Sequence, residues 1–335
     1  MAQKIRFGLT LSNRLALYGA TTIDEMLDLA EMADSSGMFE HVWCGDSMLA
    51  KPRLESCTVF AAVAARTKRV KIGPAAMASF PARNPILLAL QWATLDVISH
   101  GRMLLCAGTE VPQAANKAAS EYRNLGNKPN TRGARKEESI EILRMLWSQE
   151  SVDYDGEFNK LEGAFCEPKP VQQPCPIWIS GDPNRANSPA HIVERVCRRV
   201  ARMGDGWMTT ATGNGPDYPD FQANRADIIK YGKEYGRDLT KDFPMHLYTR
   251  INCDDNQTAA LDEAKKYLDI YYAPTVQTHE AMLASHMAFG SAERCQQKIQ
   301  NAIDAGFTDI SLILASWDQM PQYKRLTEEV LPAFL

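Results

Sequence analysis

The sequence predicts an α/β chain folded as a (β/α)8 TIM barrel, on three observations. Eight short apolar or β-branched runs alternate with longer helical patterns, the rhythm of a parallel sheet whose crossovers are helices. Several of these runs are apolar on nearly every residue, as strands covered on both faces must be. No Gly-x-Gly-x-x-Gly fingerprint follows the first run, which argues against an open doubly wound sheet. The 335 residues, 45% of them hydrophobic, are read as one domain, a size that barrels of this kind reach as a single unit.

The strands are expected at 5–11, 41–44, 70–76, 103–107, 177–180, 206–210, 245–252 and 309–314. The first helix, 22–35, opens on a capping box (Thr22, Glu25) and sets Ile23, Met26, Leu27 and Ala30 on one face; Gly37 follows its end. The second, 55–67, is alanine-rich, with Arg66, Lys68 and Arg69 beside its negative end. Further helices are expected at 85–99, 135–149, 190–203, 220–235, 258–268, 292–305 and 319–331. Residues 150–176 break the rhythm. Their Asp155-Gly156 turn signal and four prolines read as a hairpin and an extended arm between the fourth helix and fifth strand, where an insertion can shape a pocket or a subunit contact.

Composition excludes several classes of function. A net charge of −4 without a Lys/Arg run offers no footprint for nucleic acid or an anionic membrane. The N-terminal MAQKIRFGLTL enters a strand directly, and the apolar run 59–65 is too short to span a bilayer, so a cytoplasmic protein is expected. The eight cysteines form no C-x-x-C pair and no Cys/His ligand spacing, and read as small buried hydrophobes rather than a metal centre.

In such a barrel the chemistry sits at the C-terminal ends of the strands. Those ends carry Asn13 and Arg14, Gly45-Asp46-Ser47, Met77-Ala78-Ser79, Ala107-Gly108-Thr109-Glu110, Ser180-Gly181-Asp182 and Thr209-Thr210. They are rich in small and hydroxyl residues and poor in histidine, with no nucleophile–histidine–acid set. Small residues let a large flat ligand lie against backbone. Ser180-Gly181, followed by DPNRANSPA and a helix, has the form of an anion cradle. Trp43 and Trp92 read as core and Trp207 as core or cofactor wall, while Trp317, just after the last strand, is a pocket residue.

HVWCGDS, RTKRVKIGPAAMA, RNPILLALQWATLDVISHGRMLLCAGT, GARKEESIEILRMLWSQE, YDGEFNKLEGAFCEPKPVQQPCPIWISG and RRVARMGDGWMTT occur in the order seen in the bacterial luciferase-like superfamily. The resemblance covers most of the chain and weakens after about residue 215. It implies a flavin- or deazaflavin (F420)-dependent oxidoreductase or monooxygenase. Carried over by position, Asp46, Ala76 and Met77 approach the cofactor ring, with a non-proline cis peptide near Ala76-Met77. Gly108 and Thr109 supply contacts from strand four. Ser180 and Gly181, with backbone at Pro183 and Asn184, form the phosphate site, supported by the turn Gly204-Asp205-Gly206-Trp207.

The sequence departs from the pattern at Ser47, where many relatives carry a histidine that moves protons or contacts a peroxyflavin. Serine can hydrogen-bond there but cannot exchange protons near pH 7. Ser47 and Glu110 are therefore the catalytic candidates, Glu110 as the proton source. The leading expectation is a two-component FMN-dependent monooxygenase: reduced FMN from a separate reductase, O2, and a small organic substrate. The alternative is F420-dependent hydride transfer, which needs positive charge for a long acidic tail; loop 182–188 offers only Arg185, and this favours FMN. A further alternative is a flavin-binding barrel without catalysis. The resemblance also implies a homodimer paired through outer helices, here the apolar second and third.

Overall fold

The computed structural model describes residues 5–109, 118–211, 218–271 and 287–335. Eight parallel strands close into a barrel in the order β3-β2-β1-β11-β9-β8-β7-β4. They are β1 (Arg6–Leu11), β2 (Phe39–Cys44), β3 (Lys71–Pro74), β4 (Leu105–Ala107), β7 (Ile177–Ser180), β8 (Trp207–Thr209), β9 (Met245–Cys253) and β11 (Asp309–Leu314). The seam between β3 and β4 is closed by bridges Ile72–Met103 and Met77–Ala107, with Met77 N–H donating to Cys106 O at 2.8 Å. The fold is the predicted TIM barrel.

Helices α1 (Ile23–Ser36), α2 (Ser56–Arg66), α3 (Pro85–Ile98), α4 (Ala118–Asn124) and α5 (Arg132–Ser148) belong to the first half. Helices α6 (Ala190–Met203), α7 (Pro219–Glu234), α8 (Gln257–Tyr271), α9 (Ala292–Ala305) and α10 (Gln319–Arg325) complete the described set. The capping box forms as read: Glu25 N–H donates to Thr22 Oγ1 at 3.1 Å, and Thr22 N–H to the Glu25 carboxylate at 2.7 Å. Two short elements are additions to the sequence reading: α4, and β10 (Ala288–Gly290), which pairs with β9 outside the barrel order.

The insertion is a hairpin, β5 (Val152–Asp155) with β6 (Lys160–Ala164), and an arm. The hairpin lies back along α5: Tyr154 Oη donates to Glu141, and Arg135 stacks on the Phe158 ring at 4.4 Å. The arm runs under the barrel floor, where Gln172 bonds Asp96 and Met103 O. α5 ends and β7 begins at the floor, so this connection has its roots at the end of the barrel opposite the strand C-termini.

Most of the apolar core lies between strands and helices, and a second cluster fills the barrel interior. Trp43 and Trp178 dominate the interior, and glycines on or just before the neighbouring strand make room for them. A Cβ on Gly8 would lie 2.6 Å from Trp43 Nε1, and one on Gly206 2.6 Å from Trp178 Nε1. His41 and His246 pack against the same two indoles, with His41 stacked on Trp43 at 5.2 Å. Below them Asp309 forms a two-point ion pair with Arg6 at 2.7 and 2.6 Å.

Burial pushes His41 down to about 3 and His246 to about 4, although the nearby Asp309 charge pulls the other way. Between pH 6.5 and 4 the unfolded chain therefore binds protons that the folded barrel refuses, and stability falls as pH falls. The slope approaches about 1.4 kcal/mol per pH unit for each histidine. Urea denaturation at pH 7, 6, 5 and 4 should show a progressive loss; an unchanged midpoint would mean that the barrel interior admits the charged imidazoles.

Candidate active site

The C-terminal mouth of the barrel is floored by Ala75, Cys106, Met208, Tyr248 and Ile313, all buried in the interior cluster, with Ala76 and Trp317 packed on it from above. Trp317 is half-buried at this rim, Trp43, Trp92 and Trp207 are buried core, and all eight cysteines are free and buried. The non-proline cis peptide is Ala75-Ala76, one residue before the expected place. Gly108 lies against it: a Cβ there would come within 2.9 Å of Ala76 Cβ and 3.1 Å of Met77 O. Ala76, Met77 and Gly108 thus meet at the β3–β4 seam, and Thr109 follows half-buried. Glu110 lies outside the described residues.

Asp46 and Ser47 lie at the end of β2, and both side chains are committed to the chain. The Asp46 carboxylate accepts from Ser56 Oγ (2.7 Å), Ser79 N (2.8 Å), Ser79 Oγ (2.6 Å) and Arg83 Nη2 (2.7 Å). Burial alone would raise its pKa, but the Arg83 charge and the serine bonds hold it below the usual carboxylate value. Ser47 Oγ donates to Lys51 O at 2.8 Å and accepts from Arg53 Nε at 3.1 Å. Neither group is aimed into the mouth as a free acid or base.

Opposite, the β7 loop has the expected cradle shape with a different set of donors. Gly181 N–H donates to Met208 O at 3.1 Å and Gly181 O accepts from Trp207 Nε1 at 2.8 Å, so the glycine completes the sheet instead of presenting its N–H. Pro183 is buried, and its carbonyl accepts from Asn224 Nδ2 at 2.9 Å. Asp182 accepts from Thr209 Oγ1 at 2.7 Å and from Thr210 Oγ1. The N–H groups of Asn184 and Ala186 donate to no acceptor among the described residues. Arg185, the one basic residue of the loop, turns outward to Asn224 and Asp227.

Positive charge reaches this cradle from a residue that the sequence reading missed. Lys136 of α5 is 2% exposed and donates from Nζ to Ser180 O at 3.1 Å. Burial, reinforced by the neighbouring Arg199 charge, pushes it down to about 7. In the sequence it sits inside RGARKEE, which reads as a solvated helix face; only packing reveals it.

The site therefore fits a large flat ring with a phosphate-bearing arm: small residues and a close backbone approach at the β3–β4 seam, an apolar floor, and a loop over a buried cation at β7. Among the described residues no group of three His, Cys, Asp or Glu side chains could hold a metal, and no helix is long and apolar enough to cross a membrane.

Comparison with known proteins follows the same line. An F420-dependent glucose-6-phosphate dehydrogenase of Gordonia bronchialis is 27% identical over 300 residues, covering 86% of this chain and 80% of that protein. An F420-dependent secondary alcohol dehydrogenase, solved in complex with an F420-acetone adduct, superposes with a TM-score of 0.80 at 20% identity, covering 99% of each chain. A monooxygenase from Streptomyces bottropensis gives 0.78 at 20% identity, with 99% of this chain and 100% of that one covered. At that identity the two solved structures speak for the fold. The model of the luciferase-like monooxygenase family matches residues 5–309, nearly the whole barrel, and the chain belongs to that family.

Proposed function

We propose that this luciferase-like oxidoreductase uses F420 and transfers a hydride between it and a small alcohol or carbonyl compound, in place of the FMN-dependent oxygenation first expected. The observation that carries this reading is the likeness, over most of both chains, to F420-dependent dehydrogenases. Lys136 removes the argument for FMN, because it brings positive charge to the cradle although the loop's own Arg185 turns away to Asn224 and Asp227. Ser47, held by Lys51 and Arg53, offers nothing in place of the histidine.

The bound deazaflavin supplies a carbon that takes or gives a hydride without activating O2. The chain holds the phosphate over Ser180 and Lys136, makes room for the ring at Ala76 and Gly108, and keeps water from the floor with Cys106, Met208 and Ile313. In the oxidative direction the substrate C–H gives up its hydride and the O–H its proton, leaving a carbonyl; Glu110 is the proposed proton acceptor.

Equilibrium binding of F420, FMN and reduced FMN, measured side by side, tests the proposal. F420 should bind at least a hundredfold more tightly than either form of FMN. Tighter binding of reduced FMN, with O2 consumed when it is supplied, would restore the monooxygenase reading.

We also propose a homodimer. The outer face of α3 exposes Ile86, Leu87, Leu90, Val97 and Ile98 with no charged residue among them. Light scattering should return twice the 37.4 kDa of one chain. The double variant Leu87→Glu, Leu90→Glu should return the mass of one chain, and a wild-type protein of that mass would refute the dimer.

A further inference from the structure

The barrel mouth divides into sectors. The cradle occupies β7 and β8, and the close backbone approach occupies β3 and β4. The remaining sector, formed by β9, β11, β1 and β2, is lined by Tyr248, Tyr267, Tyr271 and Trp317; two cations stand among them, Arg250, whose guanidinium lies 5.2 Å from the Tyr248 ring centre, and Arg53.

Arg53 is held in place from several sides. Its Nε donates to Ser47 Oγ at 3.1 Å, and its guanidinium lies 5.8 Å from the centre of the Tyr271 ring. Gly45 makes room for it: a Cβ at that position would stand 1.8 Å from Arg53 Nη1 and 3.0 Å from Tyr271 Oη. Yet among the described residues Arg53 forms no ion pair. The two nearest acids along the chain are engaged elsewhere: Glu55 pairs with Arg83, and Asp46 gives its oxygens to Ser56, Ser79 and Arg83. Tyr248 and Tyr267, pushed far up by burial and by neighbouring tyrosines, stay protonated and cannot neutralise it. A half-buried guanidinium fixed by a serine and a tyrosine, with no carboxylate bonded to it among the described residues, has donors left for an anion.

We propose that Arg53 is a specificity-determining residue that receives an anionic oxygen group of the substrate, a carboxylate or a phosphate, and that Ser47 and Gly45 position it. The substrate is then a small alcohol or carbonyl compound bearing such a group. This rests on the cofactor assignment above only for the position of the ring; the anion site itself is read from Arg53, Ser47 and Gly45.

The test uses the protein saturated with F420, so that the cradle is filled. Inorganic phosphate and acetate are titrated separately, each followed by cofactor fluorescence and by thermal shift, in wild type, Arg53→Gln, Arg53→Lys and Gly45→Ala. One of the two anions should bind wild type at millimolar concentration; whichever binds names the group. Arg53→Gln should weaken that anion at least tenfold while changing F420 affinity less than twofold. Arg53→Lys should keep part of the binding, and Gly45→Ala, which displaces the guanidinium, should resemble Arg53→Gln. Equal anion affinity in wild type and Arg53→Gln overturns the proposal, as does a parallel loss of F420 affinity, which would put Arg53 at the cofactor. If wild type fails to bind F420, the cofactor reading falls, and the same titrations on the cofactor-free protein still decide the role of Arg53.

Discussion

Asp46→Ala should lower stability by about 3 kcal/mol and reduce turnover by at least tenfold, although the Asp46 carboxylate is bonded to the chain's own Ser56, Ser79 and Arg83. Its side chain is 1% exposed and that of Arg83 is 9% exposed, so the substitution leaves a buried guanidinium short of its partner. Removing one half of a buried pair costs about 3–5 kcal/mol; the low end applies here because Arg83 keeps Glu55 at 2.9 Å. The turnover loss has a separate cause. Asp46 fastens the end of β2 to Ser79, two residues past Met77, and so holds the turn that carries Ala76 and Met77 against Gly108. Asp46→Asn, which keeps hydrogen bonds but not the charge, should fall between the two. Chemical denaturation and steady-state kinetics on both variants check this. A stable Asp46→Ala protein with full activity would mean that Ser79 and Arg83 hold the turn unaided.

The same residue shows what the sequence makes legible and what it does not. That a strand ends at Cys44 and that an acid and a hydroxyl follow can be read from HVWCGDS, because apolar runs bounded by glycine are local signals. β7, α6, α9 and β11 fall where periodicity and turn residues put them, for the same reason. The partners of Asp46 lie 10, 33 and 37 residues away, and no local pattern announces them. Arg53 and Lys136 are illegible for the converse reason: each stands in a polar stretch typical of solvent-facing chain, and only closure of the barrel buries it. The signal that was available is Gly45. A glycine at a strand end can mark a place where another group must approach the backbone, and here that group is Arg53.

Lys136→Met should make the protein more stable and its cofactor looser. Among the described residues the buried ammonium has a single acceptor, the Ser180 carbonyl, and no carboxylate bonded to it, so the folded state carries a poorly compensated charge. Its pKa is lowered on folding, from 10.5 to about 7, so the unfolded chain binds the extra proton and the native state loses stability as pH falls from 10.5 through 7. Methionine, similar in length and uncharged, removes that penalty. The gain should be on the order of 1–4 kcal/mol below pH 7 and should shrink as pH rises toward 10. Cofactor affinity should move the other way. A unit charge facing a phosphate at an effective dielectric near 20 contributes on the order of 2 kcal/mol, so the variant should bind F420 about thirtyfold more weakly. Wild-type affinity should decline as pH rises from 7 toward 9, because binding favours the protonated amine, while Lys136→Met should show no such decline. Calorimetry of F420 binding in buffers of different ionisation enthalpy reads the proton uptake directly: a fraction of a proton near pH 7.5 in wild type and none in the variant. Equal affinities with equal pH profiles would remove Lys136 from the cofactor site and leave it a buried amine that only orients the Ser180 carbonyl.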